Sequence, residues 1–145
     1  MRLHVLDISF DNNGQVQVIH PVLLQHDGEL VMVDCGYPGF LPLLEGAANQ
    51  HRLSLENLTG VIITHHDIDH MGAVFELKQT YPQVKVYASE EEAPYVEGRE
   101  KSLRLQQAEA LFPSLPEDRR EWALQFQDRL KTIRPVKVDQ TLKDG

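Results

Sequence analysis

One cysteine, Cys35, stands among 145 residues, so no disulfide can close within the chain. That agrees with a reducing compartment. No apolar run approaches the ~20 residues that a membrane span requires. The opening stretch MRLHVLDISF has neither a long apolar core nor a small-residue cleavage site, and the expectation is a cytoplasmic protein. Basic residues are scarce in the front of the chain: residues 1–98 hold 4 of the 14 Lys and Arg but 14 of the 22 Asp and Glu, a balance of −10. Residues 99–145 hold the remaining 10 basic and 8 acidic side chains, a balance of +2. An acidic front repels a phosphate backbone, which argues against nucleic acid as a partner. Also missing are a G-x-S-x-G elbow, a glycine-rich phosphate loop ending in Lys, and an H-E-x-x-H pair, so the chemistries that they carry are set aside.

What is present reads as an ordered α/β chain, 41% apolar and without low-complexity tracts or internal repeats. LHVLDISF reads as a first strand, DNNG as a turn, and QVQVIHPVLLQ as a second strand. HDG at 26–28 then supplies a hairpin turn into the third strand ELVMVDCG, and the three together predict an antiparallel meander. The apolar run of that third strand ends on Asp34, so an acid sits at the carboxyl end of a buried strand, where α/β sheets build their sites. Phe40, Leu41, Leu44 and Ala48 recur at helical spacing, with Pro42 tolerable only in a first turn. A buried strand LTGVIITHHD, a helix from Met71 to Tyr81 and a strand over 84–89 complete a βαβ rhythm.

Residues 1–94 thus form an amino-terminal αβ half. Beyond Pro94 the chain turns basic and helical. Leu103, Ala108, Leu111 and Phe112 fit one helix; Trp122, Phe126, Leu130 and Ile133 fit a second, entered through Pro116. Residues 95–134 read as a helical insertion over one side of the domain, either a lid or a packing layer. Residues 135–145 add a last strand and a turn.

The stretch VIITHHDIDHMG, residues 61–72, places three histidines and two aspartates in six consecutive positions at the end of an apolar strand. In an extended segment alternate side chains share a side, so His65, Asp67 and Asp69 converge while His66 and Ile68 turn away. His70 joins them if the chain bends into the next helix, and Gly72 permits a bend or a close approach. So many ionisable groups at a buried strand end need a metal or many hydrogen bonds, and imidazole with carboxylate suits zinc, iron or manganese. Asp34 can fix a ligand imidazole by accepting its free N–H, or can cap the turn before Gly36. Cys35 reads as a small buried apolar residue before a soft ligand, and His4, His20, His26 and His51 lack partners at ligand spacing.

THHDIDHMG resembles the metallo-β-lactamase superfamily signature Thr-His-x-His-x-Asp-His-x-Gly, filled here by Thr64, His65, Asp67, Asp69, His70 and Gly72. LVMVDCG resembles that family's strand ending in Asp-x-Gly, at the family's distance from the signature, and the likeness runs over about residues 16–89. The resemblance implies an α/β fold, half of an αββα sandwich, with a two-metal site at the strand ends. It implies a metal-bound hydroxide that attacks a small ester, lactone or thioester, with zinc as the default ion. His65 and Asp67 would face a first ion, Asp69 and His70 a second, with Asp69 the catalytic residue that orients the water and Asp34 behind the ligands.

Two departures bear on this. Asp67 stands where the family most often has histidine, which hardens the first site and shifts it toward iron or manganese. No histidine follows His70, although the family draws a further histidine, a bridging aspartate and a final histidine from its second half. On this reading the chain is an amino-terminal half, completed by a longer product, a second chain or a homodimer. A metal-binding module without turnover and an iron-dependent oxidoreductase of the flavodiiron type are the alternatives.

Overall fold

A computed structural model describes residues 1–143. Six strands form the main sheet: β1 (Arg2–Val5), β4 (Val22–His26), β5 (Glu29–Val33), β6 (Gly60–Ile63), β7 (Lys85–Ser89) and β8 (Gln140–Leu142), adjacent in that order. β1, β4 and β5 run antiparallel, whereas β5, β6, β7 and β8 run parallel. A separate hairpin pairs β2 (Ile8–Asn12) with β3 (Gln15–Ile19).

The expected meander is therefore corrected. LHVLDISF breaks after Val5 and QVQVIHPVLLQ breaks at His20–Pro21, giving four strands in place of two. Proline has no N–H to continue a ladder, and at the break the Pro21 carbonyl accepts the Leu6 N–H at 2.8 Å. β1 consequently pairs with β4, and the intervening hairpin folds out as its own two-stranded piece.

Helix α1 (Leu41–Gln50) links β5 to β6 and buries Leu41, Leu44, Ala47 and Ala48. The expected single helix over 71–81 is two: α2 (Ile68–Met71) and α3 (Val74–Thr80), separated at Gly72–Ala73. Gly72 is there for space, since a Cβ on it would collide with Pro38 and with the Ile68 carbonyl. α1 and α3 cover one face of the sheet, where Leu30, Met32, Val61, Ile63, Val86 and Ala88 alternate inward along β5, β6 and β7. The opposite face carries Val22, Leu24, Val31, Val33 and Ile62, all apolar and only half-buried. One layer of helices thus leaves the second apolar face of the sheet partly open.

α4 (Ala93–Val96), α5 (Leu103–Leu111) and α6 (Glu117–Leu130) follow β7. α4 follows directly on the acidic run at 90–92, with Glu92 at its N-terminal boundary. α5 begins on Ser102, whose hydroxyl accepts the Leu105 N–H. Of the final segment, Gln140–Leu142 is strand, and residues 144–145 lie outside the described residues. Among the described residues no helix is long and apolar enough to cross a membrane.

Candidate metal centre

The parallel strands β5 and β6 end side by side, and Asp34 and Thr64 directly follow them. Asp34 holds a left-handed backbone, φ +59°, a conformation that costs most residues but is tolerated by Asp and Asn. Its N–H still bonds the Ile62 carbonyl at 2.9 Å, so the sheet fixes the residue while its side chain turns toward the motif. There the carboxylate accepts three hydrogen bonds: the Thr64 N–H at 2.8 Å, the Thr64 hydroxyl at 2.6 Å and His70 Nδ1 at 2.8 Å. One residue on, the Cys35 N–H donates to the His70 carbonyl at 2.8 Å, and the Cys35 thiol approaches the same oxygen. Cys35 is fully buried and its thiol is pushed far up by that burial, which leaves it protonated.

The motif is extended only as far as Asp67, which caps α2; Asp69 and His70 arise from the helix itself. This corrects the expectation of alternation through Asp69. Asp67 and Asp69 do not share a face as alternate residues of one strand, because the chain has already turned helical between them. His65 and His70 nevertheless come together, with ring centres 5.8 Å apart. Asp69 Oδ1 lies 3.6 Å from His70 Nε2, and Asp67 Oδ2 lies 3.5 Å from His65 Nδ1.

His66 takes a different place. It is 1% exposed, stacked between His65 at 4.8 Å and Tyr95 at 4.2 Å. Its Nδ1 bonds Glu92 Oε2 at 2.5 Å, and its Nε2 accepts the Leu103 N–H at 3.2 Å. Both ring nitrogens are therefore spent, with the proton on Nδ1. Among the described residues, the ligand-type atoms that close to within 4.8 Å of one another belong to His65, His66 and Glu92. With His66 so engaged, that trio is a hydrogen-bonded wall of the site before it is a ligand set.

Two residues that the sequence reading did not single out complete the surroundings. Glu92 follows the end of β7, holds His66 and has its other oxygen 4.0 Å from His65 Nε2. Its position after a parallel strand is the one signal that could have pointed to it. Arg104, on α5, donates to Asp67 Oδ2 at 3.0 Å; no spacing in the sequence announces it.

The charges follow from these contacts. Burial pushes the Asp67 carboxyl up, but the Arg104 hydrogen bond and charge, with His65 and His66, outweigh it and hold the group below the usual carboxylate range. Burial pulls His70 down, yet the Asp34 bond and the charges of Asp34, Asp69 and Asp67 raise it above ordinary imidazole.

The donor set suits a hard or borderline divalent ion. His70 gives its Nδ1–H to Asp34, which leaves the Nε2 lone pair free on the side of Asp69; this is the carboxylate–histidine arrangement that tunes metal ligands. Asp69 is 42% exposed along its side chain and, among the described residues, forms no ion pair with a lysine or arginine. His65 Nδ1 accepts the Asp67 N–H at 3.1 Å, which occupies the lone pair of that nitrogen, while Nε2 faces Glu92 at 4.0 Å. Asp67 is available once Arg104 releases it.

Parts of the sequence and the fold are similar to known proteins. The profile of the metallo-beta-lactamase superfamily matches residues 15–141. The hydroxyacylglutathione hydrolase of Xylella fastidiosa (strain M12) is 40% identical over 88 residues, which cover 61% of this chain and 29% of that protein. The hydroxyacylglutathione hydrolase of Haemophilus ducreyi is 48% identical over 40 residues, 28% of this chain and 17% of its own length. Among solved structures, the subclass B3 metallo-beta-lactamase of Bradyrhizobium japonicum superposes with a TM-score of 0.63 at 19% identity, covering 88% of this chain and 40% of that one. The metallo-beta-lactamase of Novosphingobium pentaromativorans gives 0.65 at 19% identity, covering 88% and 39%. The chain spans less than a third of the curated relatives and about two fifths of these structures.

Proposed function

Because the chain belongs to the metallo-β-lactamase superfamily, we propose that it serves a metal-dependent hydrolase of small esters, lactones or thioesters, with a thioester the first substrate to test. The observation that carries the reading is the Asp34–His70 hydrogen bond of 2.8 Å at the ends of two parallel strands. It spends the Nδ1 proton of His70 on a carboxylate and leaves Nε2 as a lone-pair donor beside Asp69. The thioester preference comes from the hydroxyacylglutathione hydrolases to which part of the chain is similar.

His65 and Asp67 would hold one divalent ion, and Asp69 and His70 a second. Bound there, such ions acidify a coordinated water and polarise the scissile carbonyl oxygen. The protein's own share is positional. Asp69, the more open of the two carboxylates, is suited to accept the proton of the attacking water and aim its lone pair at the carbonyl carbon. Asp34 keeps His70 in one tautomer and one ring orientation. Glu92 and Tyr95 keep His66 out of the metal shell and brace His65 from behind. Asp67 makes the first site more anionic than an all-imidazole one, which favours manganese or iron there over zinc.

The test is hydrolysis of a hydroxyacylglutathione thioester by the full natural chain, loaded in turn with zinc, manganese and ferrous iron. Turnover that a chelator abolishes and added metal restores is the expected result. Tight metal uptake with no turnover on thioesters, esters or lactones would instead establish a metal-binding module.

A further inference from the structure

Arg104 on α5 and Arg129 on α6 line, together with Tyr37, Asn12 and Asp69, a cavity of about 210 Å³. Asp69 is one of the residues assigned above to the metal centre, so the cavity opens directly beside it. Sites that enclose a whole drug-sized ligand run to ~300–1,000 Å³. This one is smaller and suits a single end of a substrate.

The two arginines differ in what holds them. Arg104 pairs with Asp67 at 3.0 Å. Arg129 has no carboxylate within salt-bridge distance among the described residues, and its guanidinium lies 5.4 Å from the centre of the Tyr37 ring. Tyr37 is half-buried, and its hydroxyl responds to its neighbours: burial and the Asp69 charge raise its pKa, while Arg129 and Arg104 oppose the rise. An arginine stacked on a tyrosine and lacking an anion has its planar fork oriented and unspent. The setting sharpens the point. Residues 1–98 carry a balance of −10, so an anionic substrate is repelled by the front of the chain as a whole and favoured where this helical segment brings cations to the mouth.

Resting on the hydrolase reading above, we propose that this cavity receives a carboxylate carried by the substrate remote from the bond that is cut. Arg129 is its principal anchor, and Tyr37 and Arg104 complete the grip. The substrate class narrows accordingly, from small esters and thioesters in general to those with a free carboxylate on one arm.

The test uses the full natural chain, metal-loaded, and two independent readouts. The first is calorimetric titration with glutarate against glutaramide. Glutarate is expected to bind saturably and glutaramide not, with Arg129→Gln weakening glutarate about tenfold or more, the scale of one lost charge-assisted hydrogen bond. Arg129→Lys is expected to fall between, because it keeps the charge and loses the fork. The second is kcat/KM for a matched thioester pair, one arm ending in carboxylate or in carboxamide; Arg129→Gln is expected to shrink the preference for the carboxylate by about the same factor. Arg129 is exposed, so the variants keep the fold. Glutarate binding that Arg129→Gln weakens, without turnover of either thioester, upholds the subsite and refutes thioester hydrolysis. Turnover of both thioesters at equal kcat/KM, or glutarate binding indifferent to Arg129→Gln, overturns the subsite and leaves the hydrolase reading standing.

Discussion

Replacing Asp34 separates its structural from its electronic role. Its carboxylate accepts from the Thr64 N–H, the Thr64 hydroxyl and His70 Nδ1 at 2.6–2.8 Å, with its side chain 20% exposed. Asp34→Ala orphans all three donors. At about 1–3 kcal/mol for each buried donor left unpaired, discounted for partial exposure, the loss of folding stability is about 2–4 kcal/mol. Alanine also tolerates the left-handed φ of +59° poorly, which adds about 1–2 kcal/mol. Asp34→Asn keeps one acceptor for the Thr64 N–H and tolerates the backbone, so it costs only about 1 kcal/mol. Its amide, however, can only donate toward His70. That asks Nδ1 for a lone pair and moves the imidazole proton to Nε2, the atom needed for metal. Metal affinity is therefore expected to fall about 10–100-fold in both variants, while stability falls in Ala far more than in Asn. Urea denaturation of the metal-free full chain gives the first quantity, and competition with a metal-responsive chelating dye gives the second. An Asn variant that binds metal as tightly as the parent would refute the tautomer argument, whatever its stability.

His65→Ala and Asp69→Ala are expected to abolish bound metal by elemental analysis. His66→Ala should instead keep most of the metal and lose about 2–4 kcal/mol of stability, since it strips a buried ring of two hydrogen bonds and two stacking partners. Asp67→His replaces a hard oxygen by imidazole and removes the partner of Arg104, so after growth in mixed-metal medium the bound metal is expected to shift toward zinc; an unchanged profile would contradict the role given to Asp67. Residues 1–145 made alone should associate or aggregate and be hydrolytically inactive, because Val22, Leu24, Val31, Val33 and Ile62 leave one apolar sheet face half open. Light scattering measures this, and a monomer with two tightly held metals and turnover would overturn it.

The parts of this structure legible in the sequence are those with local causes. Leu30, Met32, Val61, Ile63, Val86 and Ala88 alternate because neighbouring strands bury one face, and Leu41, Leu44 and Ala48 recur because a helix covers it. The other parts rest on a single local residue or on a pairing with no local signal. Pro21 inside an apolar run should have ended the strand, whereas nothing in residues 2–5 says that they pair with β4 across an intervening hairpin. At the site, the cluster of ligand-type residues was legible from composition alone, but the direction of Asp69 was not, since helix α2 starts one residue after Asp67.

Glu92 and Arg104 mark the harder limit. They reach the motif from 26 and 37 residues away, through folding of the later helical segment against the loop that follows β6, and no spacing rule encodes such a contact. One global feature did foreshadow it. A front half at −10 followed by a segment at +2 has an electrostatic reason to fold with its cations over the acids. Arg104 on Asp67 is one place where that attraction is spent. Arg129, with no carboxylate within salt-bridge distance among the described residues, is where the proposed subsite leaves part of it for a ligand. The charge asymmetry that argues against nucleic acid thus also favours the helical segment as the surface on which an anionic substrate would be held.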